Sequence, residues 1–330
     1  MKFRRIEAGS YYSYLSEGCR LCRKGAKMVL FVTGSCPHNC FYCPISEDRR
    51  GKDVVFANER FVENLDDIVD EALSMSAEGV AITGGEPLSN PERVYEFLEV
   101  FSHAGLHTHL YTSLPVRESI ISKLSEKGLD EIRFHPPELE NAGKYEAPLK
   151  AAKKSGIEAG FEVPALKFDE VIVKIVNGND VFLNVNELEF SDSNYRRLMD
   201  WGWEPGDFYQ ALGSREVADE YARKVDKFHF CSVKFKEIAQ FRRRLIRMAF
   251  NMPDFYRVTR EGTVICGLVE GDKDEIRKFL IRMNAQFTEV DEGFEVDIGV
   301  AEKLKDRFYA SIIERYPTAE RLILEKDPLR

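Results

Sequence analysis

Short apolar runs rich in β-branched and aromatic residues recur through the first two thirds of this 330-residue chain. They are separated by stretches whose apolar positions repeat with helical period. The runs predict strands at 28–34 (MVLFVTG), 79–85 (GVAITGG), 108–113 (THLYTS), 131–136 (EIRFHP), 158–165 (EAGFEVPA) and 180–190 (DVFLNVNELEF). Helices are predicted over 64–77, 91–103, 116–127, 141–154 and 168–176, with carboxylates near the start of the first and Asn90-Pro91 opening the second. Six such units in series predict an α/β fold, a partial (βα)6-type barrel of parallel strands. An open flavodoxin-like sheet has the same local pattern, so period alone leaves both open.

The rhythm changes at 193. Trp201-Gly202-Trp203 and Glu204-Pro205-Gly206 mark loops, followed by two helices around a short strand at 227–233 (KFHFCSV), an elaboration of the barrel. After Asn251-Met252-Pro253 the pattern reads strand, turn at Glu261-Gly262, strand, helix 273–284, a strand pair around Glu292-Gly293, helix 299–315 and a last strand RLILEKD. The expected organisation is therefore an N-terminal extension (1–27), the barrel (28–192), its elaboration (193–250) and a small C-terminal α+β domain (251–330).

Composition narrows the class. The chain is 44% hydrophobic and 31% charged, and no apolar run approaches the roughly 20 residues that cross a bilayer, so no membrane span is expected. The N-terminus lacks the apolar core of a secretory signal, which predicts a cytoplasmic protein. Seven cysteines, five of them between positions 19 and 43, then read as metal ligands rather than disulfides. The net charge of -9 argues against a polyanionic partner, but 223–247 carries nine basic residues against Asp226 and Glu237, leaving sixteen net negatives on the remainder.

The sharpest signal is Cys36-Pro-His-Asn-Cys40-Phe-Tyr-Cys43-Pro, directly after the first predicted strand. Three closely spaced thiolates can hold three irons of a cubane cluster and leave the fourth iron open. A loop at the C-terminal end of a barrel strand is also where such folds place their chemistry. The alternatives are a zinc knot or an electron-transfer ferredoxin loop, each of which needs a fourth ligand.

This segment resembles the radical S-adenosylmethionine superfamily, whose motif is C-x3-C-x-aromatic-C, with Tyr42 at the aromatic position. The resemblance continues in Gly84-Gly85-Glu86-Pro87 at the end of the second strand, where the family binds the methionine end of the cofactor, and in Ser113, near its ribose. It implies a [4Fe-4S] cluster on Cys36, Cys40 and Cys43, S-adenosylmethionine on its open iron, and reductive cleavage to a 5'-deoxyadenosyl radical that abstracts hydrogen. An electron donor such as ferredoxin or flavodoxin is implied as well. Over the whole chain the resemblance is to an archaeal-type branch related to the activating enzymes of glycyl-radical proteins, of the pyruvate formate-lyase kind.

Cys19 and Cys22 form a C-x2-C ahead of the first strand, and His229 and Cys231, two apart on a predicted strand, point to one side. Together they predict a second metal site, holding zinc or an auxiliary iron-sulfur cluster. The plainer reading makes Cys231 a buried small hydrophobe and His229 a core residue, and a third makes Cys231 a catalytic thiol. Cys266 is expected in the core, as are Phe235 and Phe241 on the basic helix. Candidate substrate-pocket residues at strand ends are His135, Glu162, Asn184, Asn186 and Glu187. The substrate expectation is a macromolecule, protein or RNA. The alternatives are a radical enzyme acting on a small metabolite, or a non-catalytic iron-sulfur or zinc protein for electron transfer or assembly.

Overall fold

The computed structural model describes residues 3–330 and divides into two compact units, Met1–Val69 with Ala77–Phe241 and Asp70–Ser76 with Arg242–Arg330. In the first unit seven strands run parallel: β1 (Lys27–Phe31), β2 (Gly79–Thr83), β3 (His107–Thr112), β4 (Glu131–Phe134), β5 (Glu158–Pro164), β6 (Phe182–Asn186) and β7 (Phe228–Cys231). They neighbour one another in chain order, and parallel neighbours need a crossover connection between them. Short antiparallel pieces flank both edges, Phe56–Ala57 beside β1 and Tyr11–Tyr12 beside β7, so the path of strands stays open among the described residues.

Six of these strands are the ones expected from the apolar runs. The seventh lies in the stretch expected to elaborate the barrel, yet Leu183 to Asn186 pair in parallel register with Phe228 to Cys231, which makes it the last stave of the barrel. The helix Ser214–Lys224 is its crossover. The sequence concealed this because the loops and short helix between 191 and 213 interrupt the βα rhythm.

Helix boundaries follow local chemistry. The helix Pro91–His103 begins where expected because the Asn90 side chain accepts from the Arg93 N–H and Pro91 supplies a preset φ. The helix Glu170–Asn179 is capped by Asp169 in the same way. Ahead of β1 lies α1 (Glu17–Lys24), which carries Cys19 and Cys22 and ends at Gly25, in the left-handed conformation that glycine adopts without strain. Among the described residues no helix is long and apolar enough to cross a membrane.

The basic stretch is helical but interrupted by one π-helical turn, Lys236–Phe241. Phe235 is core, as expected, whereas Phe241 lies at the surface, since the wider turn rotates it off the apolar face. The charges are drawn into separate pairs rather than one stripe: Lys224 with Glu170 (2.7 Å), Lys227 with Asp180 (2.8 Å), Lys236 with Glu189 (2.9 Å), and Arg242 with the Arg260 carbonyl (2.9 Å).

The second unit is an antiparallel sheet in the order Phe287–Val290, Gly293–Val296, Val264–Glu270, Tyr309–Arg315, Ile323–Pro328, with Arg257–Val258 pairing Val264–Glu270. Val269, Ile276, Leu280, Phe294 and Val296 form its core, and Cys266 is fully buried as expected. The helix expected at 299–315 ends at Leu304, and Tyr309–Arg315 is instead a central strand. Pairing on both sides, with 264–270 and with the last strand, outweighs a local pattern that is ambiguous between periods.

Candidate functional site

A cavity of about 540 Å³ opens at the C-terminal ends of the parallel strands, within the first unit. Its walls include Cys36, Cys40 and Cys43 from the loop after β1, Gly84 to Pro87 after β2, Ser113 after β3, His135 after β4, and Glu162, Asn186 and Lys236 across from them. Parallel strands bring segments distant in sequence to one end, which is why seven separate segments meet here.

The cysteine loop is closed at its base. Gly34 donates to Lys52 O (2.7 Å) and accepts from Gly51 N–H (2.9 Å), and a Cβ on Gly34 would sit 1.7 Å from Arg49 O. The Gly84-Gly85 turn is fastened to the same entry strand: Gly85 donates to Thr33 O and Glu86 to Ser35 O, both at 2.7 Å. Side chains at 84 or 85 would meet those backbone atoms at 2.5 and 2.4 Å. These glycines are thus required by the close approach of two protein backbones, a constraint separate from any ligand.

Glu86 is fully buried and joins the ends of β2 and β3. One carboxylate oxygen accepts from Leu88 N–H (3.0 Å) and the Thr112 hydroxyl (2.8 Å), the other from Ser113 N–H (2.6 Å) and the Ser113 hydroxyl (2.5 Å). The Ser113 hydroxyl expected near a ribose is therefore engaged with Glu86, and its carbonyl accepts from Tyr145. Its position on the cavity wall stands.

Tyr42 meets His135 at 3.0 Å, and the other ring nitrogen of His135 lies 2.9 Å from the Glu162 carbonyl. A carbonyl only accepts, so Nδ1 carries the hydrogen and Nε2 accepts from the phenol. Burial pushes the His135 pKa down, keeping the ring neutral, and pushes that of Tyr42 up, keeping the phenol protonated.

Three residues that no motif marked also hold the loop. Asn194 donates to Tyr42 O (2.9 Å), Arg197 to Cys40 O (3.4 Å), and Trp201 stacks on Phe41 with centroids 4.3 Å apart. Arg50 adds a bond to Cys43 O (3.0 Å), and His38 N–H points at Cys36 Sγ (3.4 Å). The only signal was the cluster of polar and aromatic residues after the sixth strand.

Beneath the cavity the barrel interior is polar. Glu162 accepts from Arg133 (2.6 Å) and Asn184 (3.2 Å) at one oxygen and from Asn186 (2.8 Å) at the other. Burial pushes its pKa up, but the Arg133 charge and the Asn186 bond outweigh it and hold the carboxyl at about 2. Glu187 turns aside to the Val233 N–H (2.8 Å).

Of the four residues grouped as a second metal set, two meet: Cys19 Sγ lies 3.4 Å from His229 Nδ1. Arg133 and Asn184 also reach Cys19 at 3.4 Å. Burial pushes this thiol up, while Arg133 and His229 draw it down to about 7. Among the described residues no three of Cys19, Cys22, His229 and Cys231 place ligand atoms within 4.8 Å of one another, so the four are not gathered around a single zinc ion. Cys231 packs with Phe235 and Ala239, and burial raises its pKa, which suits an inert thiol and not a nucleophile.

All seven cysteines are free thiols, and the three on the loop form the soft donor set that an iron-sulfur cluster requires. The radical SAM superfamily model matches residues 30–158, and a domain of unknown function matches 262–329. Over 96% of its length the chain is 36% identical to a Methanocaldococcus jannaschii protein named as a glycyl-radical enzyme activating enzyme, and covers 94% of it. Solved structures with partial likeness include a methylornithine synthase (13% identity, 54% of this chain and 60% of that one, TM-score 0.39). Another is Streptococcus suis SuiB bound to S-adenosylmethionine (13% identity, 63% and 50%, TM-score 0.41). The chain belongs to the radical S-adenosylmethionine superfamily, in the branch of the activating enzymes.

Proposed function

We propose that Cys36, Cys40 and Cys43 ligate a [4Fe-4S] cluster, that S-adenosylmethionine lies along Gly84 to Pro87, and that the enzyme abstracts hydrogen from a protein substrate presented at the cavity mouth. The observation that carries this reading is the single cavity lined by both the three thiols and the Gly84 to Pro87 turn. The bound group supplies one-electron reductive cleavage of a sulfonium and, from it, a hydrogen-abstracting carbon radical. The protein's part is placement. Tyr42, Asn194 and Arg197 fix the cysteine loop, Glu86 ties the two strand ends that form the cofactor wall, and Glu162, kept ionised, presents a fixed negative charge opposite the thiols. The name of the Methanocaldococcus jannaschii relative supports a protein as substrate. A ferredoxin or flavodoxin serves as electron donor.

The test is anaerobic reconstitution with iron and sulfide, reduction with dithionite and addition of S-adenosylmethionine. Release of 5'-deoxyadenosine and methionine is expected, and its loss in a Cys36→Ala, Cys40→Ala, Cys43→Ala variant. A fully loaded protein that releases neither overturns the enzyme reading. Deuterium should reach 5'-deoxyadenosine from a deuterated protein extract. Transfer from the small-molecule fraction alone overturns the protein-substrate reading.

A further inference from the structure

Within the first unit, α1 delivers a cysteine pair to the barrel interior that the proposed chemistry does not use. Cys19 and Cys22 lie three apart on this helix and so share a face. Cys19 is buried, Cys22 is partly exposed, and both are free thiols. Three nitrogens surround Cys19 Sγ at 3.4 Å: Arg133 Nη2 from β4, Asn184 Nδ2 from β6 and His229 Nδ1 from β7. Guanidinium and amide nitrogens only donate, so the sulfur accepts from at least two of them. His229 Nε2 is buried without a partner, and a hydrogen there would be an orphaned donor, whereas on Nδ1 it points at the sulfur as a third. A neutral thiol is a weak acceptor, while a thiolate takes several such bonds at once. Cys19 also sits in the first turn of α1, where the helix dipole favours negative charge. Burial, which raises this thiol, is outweighed by Arg133 and His229, which bring it down to about 7.

We infer that Cys19 and Cys22 form a redox-active dithiol that exchanges with small-molecule disulfides and closes a reversible disulfide within α1. The partly exposed Cys22 meets the oxidant first. Its thiol, raised by burial, loses a proton to solvent and attacks one sulfur of the small disulfide, releasing one thiolate and leaving a mixed disulfide on Cys22. The Cys19 thiolate then attacks Cys22 Sγ and displaces the second thiolate, so two protein thiols are oxidised and one small disulfide is reduced to two thiols. Cβ atoms three residues apart on a helix lie about 5–6 Å from each other and a disulfide needs about 3.5–4.5 Å, so α1 tightens locally on closure. The three donors stabilise the reduced form, which makes the couple oxidising and the disulfide easily reversed, the character of a sensing pair and not of a structural crosslink. Arg133 and Asn184 each reach both Cys19 and Glu162, so loss of the thiolate frees two donors that also hold the carboxylate on the cavity wall. The pair thereby carries its thiol state to the cavity.

The test uses full-length, cluster-loaded protein, kept anaerobic in buffers of reduced and oxidised glutathione, with Cys36, Cys40 and Cys43 protected by the cluster. After acid quenching and alkylation, peptide mass spectrometry reads the fraction of chains in which Cys19 and Cys22 are joined. A Cys19–Cys22 disulfide that dithiothreitol reverses is expected, with Cys231 and Cys266 still alkylated. Cys19→Ser should stop at a glutathione adduct on Cys22. Asn184→Leu and His229→Leu each remove one donor from the thiolate. A rise of about one unit in the Cys19 pKa should raise the ratio of disulfide to dithiol at a fixed buffer near pH 7.5 by roughly threefold. Both variants are checked by circular dichroism, so one remains informative if the other fails to fold. No Cys19–Cys22 disulfide at any buffer ratio, a disulfide joining either residue to Cys231, or an unchanged ratio in the folded variants would each overturn the inference.

Discussion

Tyr42, inside the cysteine motif, donates its phenolic hydrogen to Nε2 of His135, four strands into the sheet, at 3.0 Å. The aromatic position of the motif thus anchors the cysteine loop to the barrel, through a ring whose tautomer is set by the Glu162 carbonyl. Removing the hydroxyl costs about 1 kcal/mol and leaves a buried nitrogen unpaired. Tyr42→Phe should bind the cluster but form 5'-deoxyadenosine several-fold more slowly. Tyr42→Phe combined with His135→Ala should lose no more than the worse single variant, because both act through one bond. Additive losses, measured by chromatography of the nucleoside product, would contradict the anchor.

Glu86 presents a different case, because all four of its bonds come from donors. Glu86→Gln replaces one acceptor oxygen by an amide that faces donors, a conflict worth about 1–3 kcal/mol. The urea midpoint should fall accordingly, with an unchanged slope. A variant as stable as the parent would mean that the strand ends are held without it.

Much of this was legible from the chain alone. Six barrel strands, the Asn90-capped helix and the cavity position of Cys36, Cys40, Cys43, Gly84 and Gly85 follow from period, capping chemistry and strand-end placement, all local signals. What escaped was set by pairing at a distance. Phe228–Cys231 reads as a strand, but nothing local says that it pairs with β6, and Tyr309–Arg315 becomes a strand only because two neighbours accept it. His229 and Cys231 do share a face, yet one residue pair further along β7 places Cys231 among apolar residues while His229 meets Cys19. Asn194 and Arg197 carry no motif, since any donor of the right reach can hold a carbonyl.

Those two residues make a third expectation. With Trp201 on Phe41, they are among the contacts through which the segment after β6 grips the cysteine loop, beside the packing of Phe41 and Tyr42 on Leu188, Phe190 and Leu198. Asn194→Ala and Trp201→Ala should each cost about 1 kcal/mol of local ordering. Loss of cluster iron to a chelator, followed by absorbance, should speed up several-fold in each. Global unfolding should shift little, because the loop contributes little to the barrel core. Equal rates in parent and variants would show that the cysteines hold the cluster without help.

The fourth expectation concerns acid. The Glu162 carboxyl sits near 2 in the folded protein against an ordinary value of 4.5, because Arg133 and Asn186 outweigh its burial. A depressed folded pKa stabilises the fold fully above the ordinary value, and that contribution is lost as pH falls from about 4.5 toward 2. Its size is on the order of a few kcal/mol. Urea unfolding of the cluster-free protein should show parent stability falling through this window. Glu162→Gln, already neutral and still able to accept from Arg133, should fall less steeply while being weaker at neutral pH. Converging curves at low pH identify the ionised carboxylate as the source, and parallel curves across the window would place the acid sensitivity elsewhere.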